Sequence, residues 1–248
     1  MRVFFHLGLY TKLLGKVFSR PERFRILVKQ FFHEIDSIGI NSIGIVIVIS
    51  VFMGAVITLQ TAYNLENPLI PLYLIGLTTR DSMILEFSST IVGLILAGKV
   101  GSSIASEIGT MRVTEQIDAL EVMGINSANH LILPKILAAV FINPFLTIIS
   151  MFVGVFGGYL AGVLSGAVST QDYIYGIQYA FTPFYITYTL IKTVIFAFII
   201  TSVSSYEGFY CSGGALEVGK ASTKAVVYSS LIILLFNVIL TQLLLAHD

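Results

Sequence analysis

Two charged side chains, Glu86 and Lys192, lie inside stretches of sequence that are otherwise apolar enough to cross a membrane. A carboxylate at the centre of a bilayer costs about 2.5 to 3.5 kcal/mol on insertion scales, so Glu86 should face protein or water. This makes Glu86 a candidate functional residue. The alternative is a structural position near a helix end, within reach of solvent or of Arg80. Lys192 lies close enough to the end of its segment for its ammonium group to extend outward to the membrane surface.

No pattern in the sequence predicts catalysis or a bound cofactor. The histidines are scattered without an i, i+4 pair, and a single Cys211 cannot build a thiolate metal site. Gly214–Lys220 matches the first part of a phosphate-binding P-loop, but Ala221 stands where a Ser or Thr must reach magnesium, and no buried strand precedes it. We expect a non-catalytic chain with no metal and no cofactor. Any ATP and magnesium would belong to a partner.

An acidic segment at about residues 112–124 predicts a short helix between two apolar stretches. Thr114 is a candidate N-cap, Glu115 falls in the first turn, and Gly124 can end the helix. Acidic and apolar residues follow separate sides of it. Such a helix is suited to transmit the motion of a docked protein to the spans. A helix that only lies at the membrane surface fits the pattern equally well. The candidate contacts are Arg112, Glu115, Asp118, Leu120, Glu121 and Met123.

The composition explains why these residues must sit in a membrane. The 248 residues are 56% hydrophobic and 11% charged, whereas soluble domains are about 25% charged. The 14 basic and 14 acidic residues cancel, which gives no surface for nucleic acid. We therefore predict an all-α integral membrane protein.

Five apolar stretches are long enough to span the bilayer, which takes about 20 residues each. We place them within 37–65, at 83 to about 98, at 136 to about 164, at 184 to about 206 and at 225 to about 246. The third is predicted as one long helix rather than two, because two connected spans would leave only a very short turn. The helix of the second is expected to continue toward Gly109.

The positions of Lys and Arg predict the orientation, because short translocated loops contain few of them. Seven of the 14 precede the first span, and the connections after the second and fourth spans carry Lys99, Arg112, Lys135, Lys220 and Lys224. The two opposite connections contribute only Arg80. The N-terminus is thus predicted to be cytoplasmic and the C-terminus to lie outside.

The first 36 residues are predicted to form an interfacial region distinct from the membrane domain at 37–248. Within it, apolar side chains recur on one helical face, and Arg25, Lys29 and His33 occupy the opposite face. Residues 19–22 supply a capping box and an early proline. An ordinary amphipathic helix packed on protein is the alternative.

Glycines repeat every fourth residue in the third span at Gly154, Gly158, Gly162 and Gly166. Ridges of small residues let helix backbones approach closely in lipid, where no hydrophobic force drives helices together. We expect this ridge to pack against another helix, in the same chain or across a dimer.

Two resemblances concern the cytoplasmic segment. Asp118-Ala119-Leu120, Gly124 and Leu133-Pro134 loosely resemble the loop by which ABC importer permeases dock their ATPases. The runs 96–102 and 107–124 are much closer to the signature of MlaE-type (YrbE) permeases, the membrane subunits of bacterial phospholipid-transporting ABC systems. This likeness continues through nearly the whole chain, at 51–54, 59–60, 154–158, 191–194 and 221–227.

The MlaE resemblance implies a homodimeric inner-membrane permease with five spans per subunit. It also implies a separate cytoplasmic ATPase, a periplasmic MCE-domain protein, a small cytoplasmic STAS-like subunit as a further candidate, and a phospholipid cavity between two copies. By position, it places Leu59, Gln60, Tyr63 and Glu86 along the lipid route. Better-known members carry Arg immediately before the glutamate and Gly-Pro soon after it, whereas this chain has Leu85 and Phe87-Ser88-Ser89. The neighbouring arginine of that charge pair is therefore absent from this chain, and Lys192 is the only other candidate partner for Glu86 inside the predicted spans.

The function predicted from the sequence is that of a permease subunit that moves phospholipid between the inner and outer membranes and so serves outer-membrane lipid asymmetry. Two alternatives stay open at this level. One is an ABC permease for a small solute, and the other is a membrane pore or scaffold that needs no ATPase.

Overall fold

The computed structural model describes residues 2–19, 24–65 and 70–245. The described residues are helical apart from short turns. The predicted capping box at 19–22 and the last residues after 245 extend outside the described residues. The α-helices are α1 (Arg2–Ser19), α2 (Phe24–Glu34), α3 (Asn41–Asn64), α4 (Tyr73–Ser82), α5 (Val92–Leu96), α6 (Ser102–Val113), α7 (Gln116–Val122), α8 (Ser127–Leu164), α9 (Thr170–Gln178), α10 (Phe184–Phe209) and α11 (Ala215–Leu245).

In the described part of the chain, five continuous helical stretches are long and apolar enough to cross a membrane, which confirms the predicted number. They are span one (Arg25–Asn64), span two (Tyr73–Val113), span three (Ser127–Leu164), span four (Phe184–Phe209) and span five (Ala215–Leu244). Span three is one helix, as expected. At 1.5 Å per residue, the first three are about 60 Å long, twice the thickness of the hydrocarbon, so their ends extend well beyond it.

Span two begins ten residues before the predicted start. The helix includes Arg80, which the orientation argument had placed in a connection, and which is only 2% exposed. Its guanidinium is satisfied by a carboxylate and two backbone carbonyl groups, so burial leaves no unpaired charge. Hydropathy alone misplaced the boundary because it counts an arginine as polar regardless of its partners.

Three π-helical segments interrupt spans one and two, at Ile35–Ile40, Met83–Ile91 and Ala97–Gly101. A π-helical turn inserts an extra residue and shifts the register of the side chains that follow. Such segments occur frequently at functional sites, and Glu86 lies in the second one.

The chain divides into two compact units, which we describe separately. In the first, made of the residues up to Asn41, Gly93–Asn143 and Val194 onward, the N-terminal region contains a helix that the sequence analysis missed. This helix, α1, buries Leu13 and Val17, and the Tyr10 hydroxyl donates to Ser202 Oγ at 2.8 Å. The α1 helix is thus held by packing on the membrane helices.

The second unit contains residues Ser42–Val92 and Pro144–Thr193. Here Gly154, Gly158 and Gly162 of the predicted ridge pack within the chain, whereas Gly166 follows the end of α8, with a φ of +73°. A Cβ on Gly54 of α3 would overlap the backbone of Gly154, and Thr58 lies against both Gly158 and Gly162. The backbones of spans one and three therefore meet directly, as expected for small residues in lipid. The short helix α9, absent from the sequence prediction, packs on α4 around the fully buried Tyr173.

Candidate functional site

The acidic helix between spans two and three is shorter than predicted. Thr114 does not cap it, because its hydroxyl donates to the Thr110 carbonyl at 2.8 Å and so closes α6. The chain reverses at Glu115, in a left-handed conformation with φ of 61°, and α7 follows. Gly124 ends the helix with φ of +77°, as the sequence predicted. We call Glu115–Gly124 the α7 segment.

Two polar interactions fasten the α7 segment to its neighbours in the first unit. Arg112, which belongs to α6 and not to the acidic helix, forms an ion pair of 2.6 Å with Asp118. Glu121 accepts a hydrogen bond of 2.8 Å from Ser127 at the start of α8. Ile117 is fully buried beneath them. The segment is therefore fixed to the ends of spans two and three and can transmit a force to both.

The outer side of the α7 segment combines acidic groups with exposed apolar side chains. Val122 and Met123 are 89% and 65% exposed, and the carboxylates of Glu115 and Asp118 are also on the exposed side. Apolar side chains at the tip of a polar segment are typical of the core of a protein interface. Leu120, another predicted contact, is only half-buried.

Inside the second unit, Glu86 and Lys192 form an ion pair, with 3.0 Å between Oε1 and Nζ. The prediction that Lys192 extends to the membrane surface is wrong, because its side chain is fully buried. The Lys192 side chain can be buried because its ammonium also donates to Tyr188 Oη at 3.0 Å and to the Leu85 carbonyl at 3.2 Å. All three partners are oxygen atoms, which is the environment that a buried ammonium needs.

Hydroxyl groups complete the surroundings of Glu86. Thr90 Oγ1 donates to Oε2 at 3.2 Å, and Tyr188 Oη lies 3.4 Å from Oε1. The Glu86 side chain stays 39% exposed, whereas Lys192 has no exposed surface. The pair therefore has one buried member and one member that a third molecule can reach.

Arg80, the alternative partner of Glu86, serves another purpose. It forms a 2.7 Å ion pair with Asp81 and donates to the carbonyl groups of Ile177 and Tyr179 at 2.6 and 2.8 Å. These carbonyl groups lie at the C-terminal end of α9. Arg80 thus ties α9 to the start of span two.

The other predicted lipid contacts share one face of span one. Leu59 and Tyr63 are 42% and 75% exposed, and Gln60 is exposed beside them. Phe52 and Val56 extend the same face along α3. This face is open to lipid or to another protein, while the ion pair above joins Glu86 to span four.

The second unit also contains an apolar groove of about 600 Å³. It runs between spans two and three and α9, and its walls include Ile84, Phe152, Phe156 and Ile177. Such a surface suits hydrocarbon chains. Among the described residues, no three His, Cys, Asp or Glu side chains are grouped in a way that could hold a metal ion.

Comparison with known proteins identifies the family of the chain. The family model "Permease MlaE" matches residues 31–243. The chain belongs to the MlaE permease family. The "Probable ABC transporter permease protein" of Rickettsia bellii is 37% identical over 235 residues, which cover 93% of this chain and 87% of that protein.

Two further relatives extend the comparison. The "Intermembrane phospholipid transport system permease protein MlaE" of Haemophilus influenzae is 30% identical over 241 residues, covering 94% of this chain and 88% of that protein. "Protein TRIGALACTOSYLDIACYLGLYCEROL 1, chloroplastic" of Arabidopsis thaliana is 29% identical over 236 residues, with 93% and 65% covered. As an MlaE permease, the chain is a multi-pass membrane protein.

Sequence reasoning missed how this MlaE permease neutralises its intramembrane glutamate. The preceding residue is Leu85, so no cation is adjacent in sequence. The cation comes instead from Lys192, 106 positions away. One signal for the pair was present in the sequence, because Glu86 and Lys192 are the charged side chains inside the predicted spans.

Proposed function

We propose that this chain is the membrane subunit of an ABC transporter that moves phospholipid between the inner and outer membranes. The observation that carries the proposal is the MlaE family match over residues 31–243. A relative with 30% identity is named for intermembrane phospholipid transport. The work of the chain is conformational, and it has no catalytic role.

ATP would be hydrolysed by a separate cytoplasmic ATPase that docks on the α7 segment. The exposed Val122 and Met123 support this contact, as do the links from Asp118 and Glu121 to spans two and three. All of the P-loop-like run Gly214–Lys220 except Gly214 lies in the first turns of α11. We propose that ATP and magnesium bind to the partner and that this chain needs no cofactor.

The lipid route would pass between two copies of the chain, along the exposed face of Leu59, Gln60 and Tyr63 and past Glu86. Only 11% of the residues in the most apolar window of span five are buried, against 61% for span four. This leaves apolar surface for a second copy. A lipid headgroup could approach Glu86 because its carboxylate is partly exposed.

The membrane would be the bacterial cytoplasmic membrane, with the N-terminus and the α7 segment in the cytoplasm and the C-terminus in the periplasm. With Arg80 inside span two, the connections at 65–72 and 165–183 contain no Lys or Arg at all. A periplasmic MCE-domain protein and a small cytoplasmic STAS-like subunit are the further partners we propose. Residues 1–36 would form an interfacial region beside the membrane domain at 37–248.

Co-purification from the native cell tests the ATPase contact. We expect wild-type chain in mild detergent to recover an ATPase, and the double variant Val122→Asp/Met123→Asp to bind it at least about tenfold more weakly, because exposed apolar anchors dominate such interfaces. Reversing the charge of Asp118 or Glu121 is less specific, because both side chains also hold α7 in place and their loss could displace the helix. The coupling proposal fails if wild type recovers no ATPase or if the double variant retains it.

Leu164→Asp is the matched control. Leu164 is 84% exposed and ends span three at the opposite end from the α7 segment. It should retain the ATPase at the wild-type level, which separates loss of a contact from the general effect of an added charge.

Lipid extraction of the purified wild-type assembly tests the substrate class. A phospholipid carrier should retain phospholipid through exchange into a lipid-free detergent, beyond what an unrelated five-span protein retains. Complete loss of phospholipid together with a retained ATPase would favour a small-solute permease.

A further inference from the structure

A second groove, in the first unit, lies where the N-terminal region meets the membrane helices. It has a volume of about 630 Å³ and runs between α2, the end of α6 and the start of α8. This volume is within the range of about 300 to 1,000 Å³ that is usual for small-molecule sites. We call it the α2 groove.

The walls of the α2 groove are held together by buried polar contacts. The Lys135 ammonium, on a side chain 3% exposed, contacts Glu34 of α2 at 2.7 Å and Glu107 of α6 at 2.8 Å. Gln30 of α2 lies 3.1 Å from the His130 ring of α8. The groove is therefore preorganised by side chains from three helices.

The open side of the groove is basic. Arg25, Lys29 and His33 follow one another at intervals of four residues on α2 and are all exposed. The groove contains the basic side chains of Arg25, Lys29 and Lys135 and the carboxylates of Glu34 and Glu107. Both carboxylates contact Lys135, so a net positive charge remains on the α2 side. Arginine and lysine side by side provide a bidentate donor and a point charge, which suits a phosphate group.

The position of the groove, beside the charged start of span one, predicts that it lies at the depth of lipid headgroups. The uncharged part of span one begins after Asp36, and α2 precedes it within the same 40-residue helix. Ile26, also in the groove wall, is 43% exposed and apolar. A basic groove with an apolar edge at this depth fits a ligand that carries both a phosphate and a hydrocarbon chain.

We propose that the α2 groove binds an anionic phospholipid from the adjacent leaflet, with its phosphate held by Arg25 and Lys29. This site is separate from Glu86 and the exposed face of span one, and it does not depend on which molecule is transported. A bound lipid here ties α2, and with it the first turns of span one, to the ends of spans two and three.

Native mass spectrometry of the full chain tests the site, with short-chain phosphatidylglycerol and phosphatidylcholine as probes. We expect saturable binding of phosphatidylglycerol that is about tenfold weaker in the double variant Arg25→Gln/Lys29→Gln, because each interfacial basic residue contributes substantially to anionic lipid binding. Phosphatidylcholine should bind more weakly, with little difference between the two proteins.

The matched control is Lys12→Gln/Lys16→Gln on α1. These two exposed lysines have the same spacing of four residues and carry the same charge, but they are not part of the groove. The control should bind phosphatidylglycerol within about twofold of wild type. Equal losses in both double variants would indicate diffuse attraction and overturn the proposal. Displacement of the lipid by millimolar inorganic phosphate would overturn it in favour of a free anion.

Hydrogen exchange on the wild-type chain provides a test that needs no variant. In nanodiscs with phosphatidylglycerol, the backbone amides of residues 25–34 should exchange more slowly than in nanodiscs with phosphatidylcholine alone, while those of α7 should not change. Unchanged exchange in α2 would contradict the site even if the variants fail to fold.

Discussion

At the scale of single residues, the ion pair of Glu86 and Lys192 is asymmetric. Lys192 is fully buried and Glu86 is 39% exposed. Removal of one partner from a buried pair leaves an uncompensated charge, and the cost depends on how well solvent or other groups can reach that charge. The two members should therefore tolerate substitution very differently.

We predict that Glu86→Leu lowers the free energy of unfolding by about 3 kcal/mol, because it leaves the buried Lys192 ammonium without its carboxylate partner. Lys192→Met should cost about 1 kcal/mol, since the remaining carboxylate is partly exposed and keeps its hydroxyl donors. The double variant should be less destabilised than Glu86→Leu alone. Denaturation of the detergent-solubilised chain measures all three, and additive effects would show that the two residues are energetically independent.

Transport assays separate the structural and functional roles of Glu86. Glu86→Gln keeps an acceptor for Lys192 and removes the charge, so it should fold while altering lipid transfer if Glu86 contacts lipid. Normal transfer by Glu86→Gln would remove it from the lipid route and leave it as a structural residue.

At the scale of helices, the contact between spans one and three depends on the absence of side chains. Gly54 packs against the backbone of Gly154, which has no flexible end that could move aside. In the same helix, a Cβ added to Gly44 would meet nothing within 4 Å. The chain thus offers two glycines in one helix with opposite surroundings.

We predict opposite effects of alanine at these two glycines. Gly54→Ala should destabilise the chain by about 1 to 3 kcal/mol through overpacking. Gly44→Ala should be neutral or stabilising by up to about 1 kcal/mol, because alanine favours the helix. The shift in thermal unfolding of both variants is measured by monitoring the reaction of the buried Cys211 with a fluorogenic maleimide as the temperature rises. Equal shifts of the two variants would mean that helix propensity, not close packing, controls α3.

At the scale of the whole molecule, we expect the α7 segment and the end of span three to lie on opposite sides of the membrane, because span three crosses once between them. Cysteine accessibility tests this. In a Cys211→Ser background, Val122→Cys should react with an impermeant maleimide only after the cells are opened, whereas Ser165→Cys should react in intact cells. Labelling of Val122→Cys in intact cells would contradict the proposed orientation and the ATPase contact with it.

If Cys211 is retained in that experiment instead of being replaced by Ser, the native cysteine should contribute little background. Cys211 is 8% exposed, and burial raises the pKa of its thiol above the ordinary value. Little of the reactive thiolate therefore forms at neutral pH. Permeabilised cells, in which both introduced cysteines should label, provide the control for expression.

The amino-acid sequence alone was enough to establish the five spans, the single long third span, the acidic helix ended by Gly124 and the glycine ridge. Each of these depends on the local order of residue types: apolar length, a helix-ending glycine, or a repeat of four. Such features are visible in one dimension because the bilayer imposes a length and the helix imposes a period.

Only the tertiary structure decided which charges are paired. The sequence placed Lys192 at the membrane surface and Arg80 in a connection, and it missed the docking of α1 and the reversal at Glu115. Lys192 pairs with Glu86, 106 positions away, and Lys135 pairs with the distant Glu34 and Glu107. Arg80 pairs with the adjacent Asp81, but its other acceptors are the distant carbonyl groups of Ile177 and Tyr179. The cost of burying a charge depends on the distance to its partner in space, and hydropathy contains no information about that distance.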